Sequence, residues 1–145
     1  MSAAAKQNRT PGITAIVVFF VFGAVMSGLA AVMLIFPASP IEFFWRVNPR
    51  AHEGFQAMGF WAVVLMIAVC VACATASMGL ARLRQWGLWT AIAILAVNIA
   101  GDSANAVFAH DWRTLIGLPI GGLMIVYLLR KRHLFSSSAP SGDAS

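Results

Sequence analysis

The sequence predicts an all-α integral membrane protein: a bundle of four transmembrane helices with a short interfacial helix in its first outer loop. Of its 145 residues, 60% are hydrophobic and 10% are charged, and the mean hydropathy is +0.81. An ordinary soluble domain has about 45–50% apolar and about 25% charged residues. This chain therefore has too few charged side chains to cover a folded surface in water. Intrinsic disorder is excluded for the opposite reason, because disordered chains are poor in apolar residues.

Gaps between the charged residues place the predicted membrane spans at about 13–36, 56–81, 87–108 and 113–131. A spanning helix needs roughly 20 apolar residues, so a transmembrane domain is expected over residues 13–133. Lys6 and Arg9 precede the first span, as basic residues precede the apolar core of a signal peptide. The apolar run is far longer than the roughly 7–15 residues of a cleavable signal. We therefore expect an uncleaved first helix after a cytoplasmic tail, residues 1–12.

The distribution of basic residues predicts the orientation. With a cytoplasmic amino terminus, that side carries seven Lys and Arg residues and the opposite side carries three. Cytoplasmic loops are enriched in Lys and Arg, so both termini are predicted to be cytoplasmic. The size and hydropathy are typical of small four-span bacterial proteins, which makes the bacterial inner membrane the expected location. The net charge of +5 reflects this orientation, so the lipid bilayer, not nucleic acid, is the expected partner.

The loop at residues 37–55 is predicted to contain a short helix lying in the membrane interface. The Ser-Pro-Ile-Glu segment at 39–42 fits a capped helix start. The apolar residues expected on one side of this helix are Ile41, Phe44 and Trp45. The Asn-Pro pair at 48–49 repeats the start signal and predicts a second helix that runs into the second span. The interfacial helix has two interpretations: a structural lid at the headgroup level, or a docking or substrate-entry surface.

Three polar residues, Asn98, Asp102 and Asn105, form a predicted stripe on the third span, because helical periodicity places them within about 60° of one another. Asp102 lies roughly 9 Å below the outer end of its helix at 1.5 Å per residue. A carboxylate at that depth costs a few kcal/mol unless it is paired, hydrated or protonated, so it should face the bundle. The expected partners on the outer side are Arg46, Arg50, His52 and Arg113, with the Trp61 indole as a neutral donor.

The stripe allows two hypotheses. It either holds the helices together through hydrogen bonds or forms a proton or cation site reached from outside.

The second span contains a Cys-x-x-Cys motif, Cys70-Val-Ala-Cys73. In other proteins this motif is typical of redox or metal sites, but here it lies in the middle of the span. No histidine lies inside a predicted span to complete a zinc site, so small packing residues are the favoured interpretation of both cysteines.

Small residues also recur at four-residue spacing on the first, second and fourth spans. The three sets are Gly23, Ser27 and Ala31; Ala68, Ala72 and Ala76; and Gly117 and Gly121. Such ridges let helix backbones approach closely in a membrane. They predict tight helix packing and indicate no particular function.

Three functions are therefore open. A small structural or accessory membrane protein with no catalytic chemistry ranks first, because no catalytic motif is recognised. A transporter or channel subunit using the Asp102 stripe ranks second, and a membrane thiol redox protein using Cys70 and Cys73 ranks third. No cofactor or metal is expected. The expected partners are lipid and either further copies of the chain or the subunits of a membrane complex. The Ser-rich segment 134–145 is predicted to be a disordered tail.

Overall fold

The computed structural model of the protein describes residues 10–36, 43, 45–46, 49–108 and 116–136. Helices make up 92% of these residues and no strand occurs among them, which confirms the predicted all-α class. The helices described are α1 (Pro11–Ile35), α2 (Pro49–Met58), α3 (Phe60–Ala81), α4 (Gln85–Phe108), α5 (Gly117–Arg130) and α6 (His133–Ser136).

Three of these helices are long and apolar enough to cross a membrane. They are α1, α3 and the segment Gln85–Ala104 of α4, with mean hydropathies of 2.5, 2.4 and 1.3. Helix α5 is apolar but shorter. Its 14 residues cover about 21 Å at 1.5 Å per residue, against a hydrocarbon core about 30 Å thick. The fourth predicted span also included residues 113–115, which lie outside the described residues, so a fourth crossing stays a prediction.

A left-handed glycine separates α2 from α3. Gly59 has φ +57°, and its N–H donates to the carbonyls of Phe55 and Gln56, each at 3.1 Å. Its own carbonyl accepts the N–H of Ala62 at 3.1 Å, which starts α3. A helix does begin at Pro49 and reaches the predicted second span, but it is interrupted there: it ends at Met58, and α3 begins at Phe60. The reason is Gly59, because a residue without Cβ adopts this conformation at little cost.

A three-residue turn joins α3 to α4. The N–H of Leu83 donates to the carbonyl of Leu80 at 3.1 Å, and that of Arg84 donates to Gly79 at 2.9 Å. This pair of bonds is the Schellman arrangement that ends many helices. Leu83 takes the left-handed position, with φ 52°, which glycine usually occupies. Its side chain is 4% exposed, so burial offsets part of the backbone strain.

Two glycines bring the helices of this hairpin together. A Cβ built on Gly79 would overlap the Cα of Gly87, and a Cβ on Gly87 would overlap the backbone of Gly79. Backbones approach this closely in membrane bundles only where both residues are small. The turn and the glycine contact together hold the end of α3 against the start of α4.

The chain divides into two compact units, one formed by Met1–Phe19 with Thr75–Ser145 and the other by Phe20–Ala74. In the first, α5 and α6 both pack on α4. Its buried side chains include Ile13, Leu80, Leu88, Leu95, Leu128 and Phe135. The second contains α2 with most of α1 and α3. Its buried side chains include Ala31, Met33, Trp45, Ala62 and Cys73.

Candidate functional site

The candidate site begins with Asp102, which α4 holds against the start of α5. The residue is half-buried, and a Cβ built on Gly117 would collide with its carboxylate atom Oδ2. Gly117 is the first residue of α5, where backbone N–H groups lack helical partners and carry partial positive charge. The Asp102 side chain therefore lies beside the amino-terminal end of α5.

The next glycine of the same ridge receives a second side chain from α4. A Cβ on Gly121 would lie 3.1 Å from Cγ1 of Ile99, and Ile99 is three residues before Asp102. Thus the predicted ridge of Gly117 and Gly121 accommodates Ile99 and Asp102 from one face of α4. The hydroxyl of Ser103 donates to the Ile99 carbonyl at 2.7 Å, which satisfies that polar group within its own helix.

The other two residues of the predicted stripe differ from Asp102 in their surroundings. Asn98 is exposed. Residue Asn105 lies on α4, but its side chain is outside the described part of the chain. Among the side chains described, Asp102 is the member of the stripe that packs against another helix.

Two predicted charge partners of Asp102 belong to the other compact unit, where they contact aromatic rings. Arg46 is exposed, and its guanidinium carbon lies 5.6 Å from the centroid of the Phe43 ring. His52 stacks on Trp45 with a centroid separation of 4.8 Å and an interplanar angle of 11°. The other two predicted partners are Arg113 and Arg50. Arg113 lies outside the described residues, and so does the side chain of Arg50.

Trp45 occupies the centre of an aromatic cluster made of Trp45, His52 and Phe55. It is 9% exposed, and its ring lies 5.8 Å from that of Phe55. The other two predicted residues of the interfacial helix, Ile41 and Phe44, lie outside the described residues. The neutral donor proposed for Asp102, Trp61, is 71% exposed at the start of α3.

The two cysteines of α3 pack over the glycines of α1. The Sγ atom of Cys70 would lie 3.3 Å from a Cβ on Gly28, and that of Cys73 would lie 3.5 Å from a Cβ on Gly23. Both thiols are free. These contacts are typical of cysteine acting as a small apolar packing residue. Among the described residues, no group of three or more His, Cys, Asp and Glu side chains could hold a metal ion.

One polar contact escaped the sequence interpretation. The hydroxyls of Thr10 and Tyr127 lie 2.9 Å apart and form a hydrogen bond, and the Tyr127 ring covers Gly12 at the start of α1. The two residues are 117 positions apart, so periodicity could not pair them. One feature of the sequence could have pointed to this contact: Tyr127 is the single tyrosine of the chain, and its hydroxyl, near the end of an apolar helix, requires a hydrogen-bond partner.

The chain matches no family model, no curated protein and no solved structure. Its function is therefore inferred from its own residues and their contacts.

Proposed function

We propose that the protein is a small structural or accessory membrane protein with no catalytic chemistry of its own, which acts by associating with other membrane helices. The proposal rests on one observation: an acid and two cysteines of its long helices lie against glycines of a neighbouring helix. Asp102 lies against Gly117, and Cys70 and Cys73 lie against the glycines of α1. Side chains used in this way support the architecture of the bundle.

Hydroxyl groups in the long helices form hydrogen bonds within their own helix. Ser27 donates to the Gly23 carbonyl at 2.6 Å, and Thr90 donates to the Trp86 carbonyl at 2.8 Å. Each bond satisfies a polar group locally, which a helix in hydrocarbon requires. These side chains therefore maintain helices and their contacts.

Exposed apolar side chains on α1 provide a surface through which the protein could associate with other helices. On α1, Val18, Phe22 and Val25 are each more than 60% exposed and share one face of the helix by their spacing. On a soluble monomer, a large apolar patch of this kind would mark an interaction site. In a bilayer it contacts lipid or the helix of a partner subunit. The proposal includes four crossings, both termini in the cytoplasm and a bacterial inner membrane.

The test is native mass spectrometry of the tagged full chain, released from its membrane in lipid nanodiscs. We expect a defined complex with one or more other membrane proteins, and we expect Val18, Phe22 and Val25 changed together to alanine to release it. The matched control changes Leu123 and Val126 of α5, which are 71% and 50% exposed. A chain found only as a monomer, in which neither set of changes has any effect, would contradict the proposal.

A second candidate, a transporter or channel subunit, is favoured by the half-buried carboxylate of Asp102 in an apolar helix, because intramembrane acids commonly serve ion pathways. Its test is ion flux into vesicles containing the purified chain. Flux that Asp102→Asn abolishes, in a chain that still folds, would favour this candidate. A homo-oligomer in nanodiscs would favour it as well, since four helices usually need further copies to form a path.

A further inference from the structure

We propose that two neighbouring cavities that meet at His52 form a binding site for one anionic phospholipid. The site lies within the unit Phe20–Ala74 and is built from the end of α1, from α2, from the start of α3 and from residues 43, 45 and 46. The proposal is independent of the accessory role, because a lipid site could occur in a protein of any of the candidate functions.

The first cavity has the chemistry of a phosphate site. Its volume is about 410 Å³, and its described lining residues are Phe43, Trp45, Arg46, Pro49 and His52. Arg46 is held over the Phe43 ring, a cation–π contact. An arginine presents a fork of N–H donors that matches two phosphate oxygens. The cavity therefore offers a fixed positive charge beside aromatic walls.

The second cavity has the chemistry of an acyl-chain site. Its volume is about 350 Å³, and its apolar lining includes Met33, Leu34, Phe55, Phe60 and Val63. Its polar side chains are His52 and Gln56. A mainly apolar wall with a few polar groups is the usual design of a small-molecule site.

His52 connects the two cavities and is held in place from two sides. Trp45 stacks on its ring, and its Nε2 lies 3.0 Å from Nε2 of Gln56. When the Gln56 amide donates to this nitrogen, the neutral ring carries its proton on Nδ1. His52 then donates from Nδ1, which suits an ester carbonyl between a phosphate and an acyl chain.

The position of the site fits a lipid. Helix α1 ends at Ile35 and α3 begins at Phe60, so two candidate spans meet the same boundary of the membrane here. Phe60 and Trp61 are 76% and 71% exposed, and exposed aromatic residues at a helix end are typical of the headgroup level. Phosphate, ester and acyl chain occur together in the membrane at this depth.

The charge of the site selects an anionic headgroup. Arg46 is the permanently charged side chain among the described lining residues of both cavities. The carboxylate of Glu53 is exposed and is not among those lining residues. A zwitterionic lipid would bring an ammonium group for which the described lining provides no carboxylate. Phosphatidylglycerol is accordingly expected to bind more tightly than phosphatidylcholine.

The experiment is a lipid titration of the full chain in mild detergent, followed by native mass spectrometry. We expect one phosphatidylglycerol to bind in preference to phosphatidylcholine. Arg46→Gln should weaken phosphatidylglycerol binding about tenfold, the loss expected for a hydrogen bond to a charged group. The matched control is Arg82→Gln, since Arg82 is an exposed arginine at the other end of α3 and its loss should leave the preference unchanged.

A second pair of variants tests the apolar cavity. Val63→Trp should fill it and reduce lipid retention, whereas Val64→Trp, at a 39% exposed neighbour outside the lining, should not. If Val63→Trp fails to fold, the exposed Arg46 variant still decides the question.

Four results would overturn the proposal. They are equal binding of the two lipids, equal effects of the Arg46 and Arg82 variants, retention of a neutral isoprenoid instead of a phospholipid, and displacement of the lipid by inorganic phosphate alone. The last result would assign the site to a free anion.

Discussion

At the scale of the residue, Asp102 shows how an acidic side chain is accommodated in an apolar helix. The sequence predicted that it would face other helices, because an unpaired carboxylate facing lipid costs several kcal/mol. The glycine beside it was predicted only as part of a packing ridge. The contact between Asp102 and Gly117 was not predictable, since helical periodicity gives the face of one helix and not its neighbour.

Replacing Asp102 by asparagine should lower the free energy of unfolding in detergent by about 0.5–2 kcal/mol, because the dipole of α5 then loses its negative partner. The side chain keeps its size, so the helices should still pack. Thermal unfolding of the purified chain measures the effect. A variant as stable as the parent would show that the charge does not act on α5.

Replacing Gly117 by alanine should cost about 1–3 kcal/mol, because the new methyl group displaces the carboxylate of Asp102. Gly122 provides a control in the same helix, since a Cβ there would meet nothing within 4 Å. Gly122→Ala should instead be neutral or stabilising by up to about 1 kcal/mol through helix propensity. Equal effects at the two glycines, measured by thermal unfolding, would contradict the contact.

Changing Cys70 and Cys73 together to alanine should leave membrane accumulation nearly unchanged, because mid-helix cysteine behaves as a small hydrophobe. Adding Gly28→Ala should then cost less than it does alone, since its methyl group occupies the space that the Cys70 sulfur has left. Membrane abundance and unfolding temperature measure both effects. A folded double variant that has lost the cellular function would favour thiol chemistry.

At the scale of the element, the sequence predicted where helices lie better than where they break. Apolar spacing and the Asn-Pro pair at 48–49 indicated α1, α3, α4 and the start of α2. The break at Gly59 depends on a backbone conformation that any glycine permits and few require. Leu83 was less predictable still, because leucine rarely occupies the left-handed position that ends α3.

Replacing Gly59 by alanine should cost about 1–2 kcal/mol through left-handed strain alone, because open space surrounds its Cβ position. Gly54 lies within α2 and is equally open, but it has no positive φ. Gly54→Ala should therefore be neutral or stabilising, by up to about 1 kcal/mol. Chemical denaturation of both variants compares them, and a stabilising Gly59→Ala would mean that α2 and α3 form one continuous helix.

Replacing Gly87 by alanine should cost about 1–3 kcal/mol, because its methyl group would force α4 away from the backbone of Gly79. Gly101 on the same helix is the control, as a Cβ there would meet nothing within 4 Å. The comparison uses membrane accumulation and thermal unfolding. Tolerance of alanine at Gly87 equal to that at Gly101 would contradict the tight hairpin.

At the scale of the whole molecule, composition alone was enough to predict a membrane protein, because too few charged residues exist to cover a soluble fold. Three helices of sufficient length and apolarity agree with this class. The number of crossings depends on α5, which is shorter than the three candidate spans. An even number returns the carboxyl terminus to the side of the amino terminus, and an odd number places the two on opposite sides.

The measurement that tests the four-crossing bundle most directly is labelling of single cysteines with a membrane-impermeant maleimide in intact cells and in opened membranes. The background carries alanine at Cys70 and Cys73, and the labelled positions are Ser2→Cys and Ser145→Cys. We predict that both are protected in intact cells and labelled once the membranes are opened. Labelling of one terminus in intact cells while the other stays protected would contradict the four-crossing bundle.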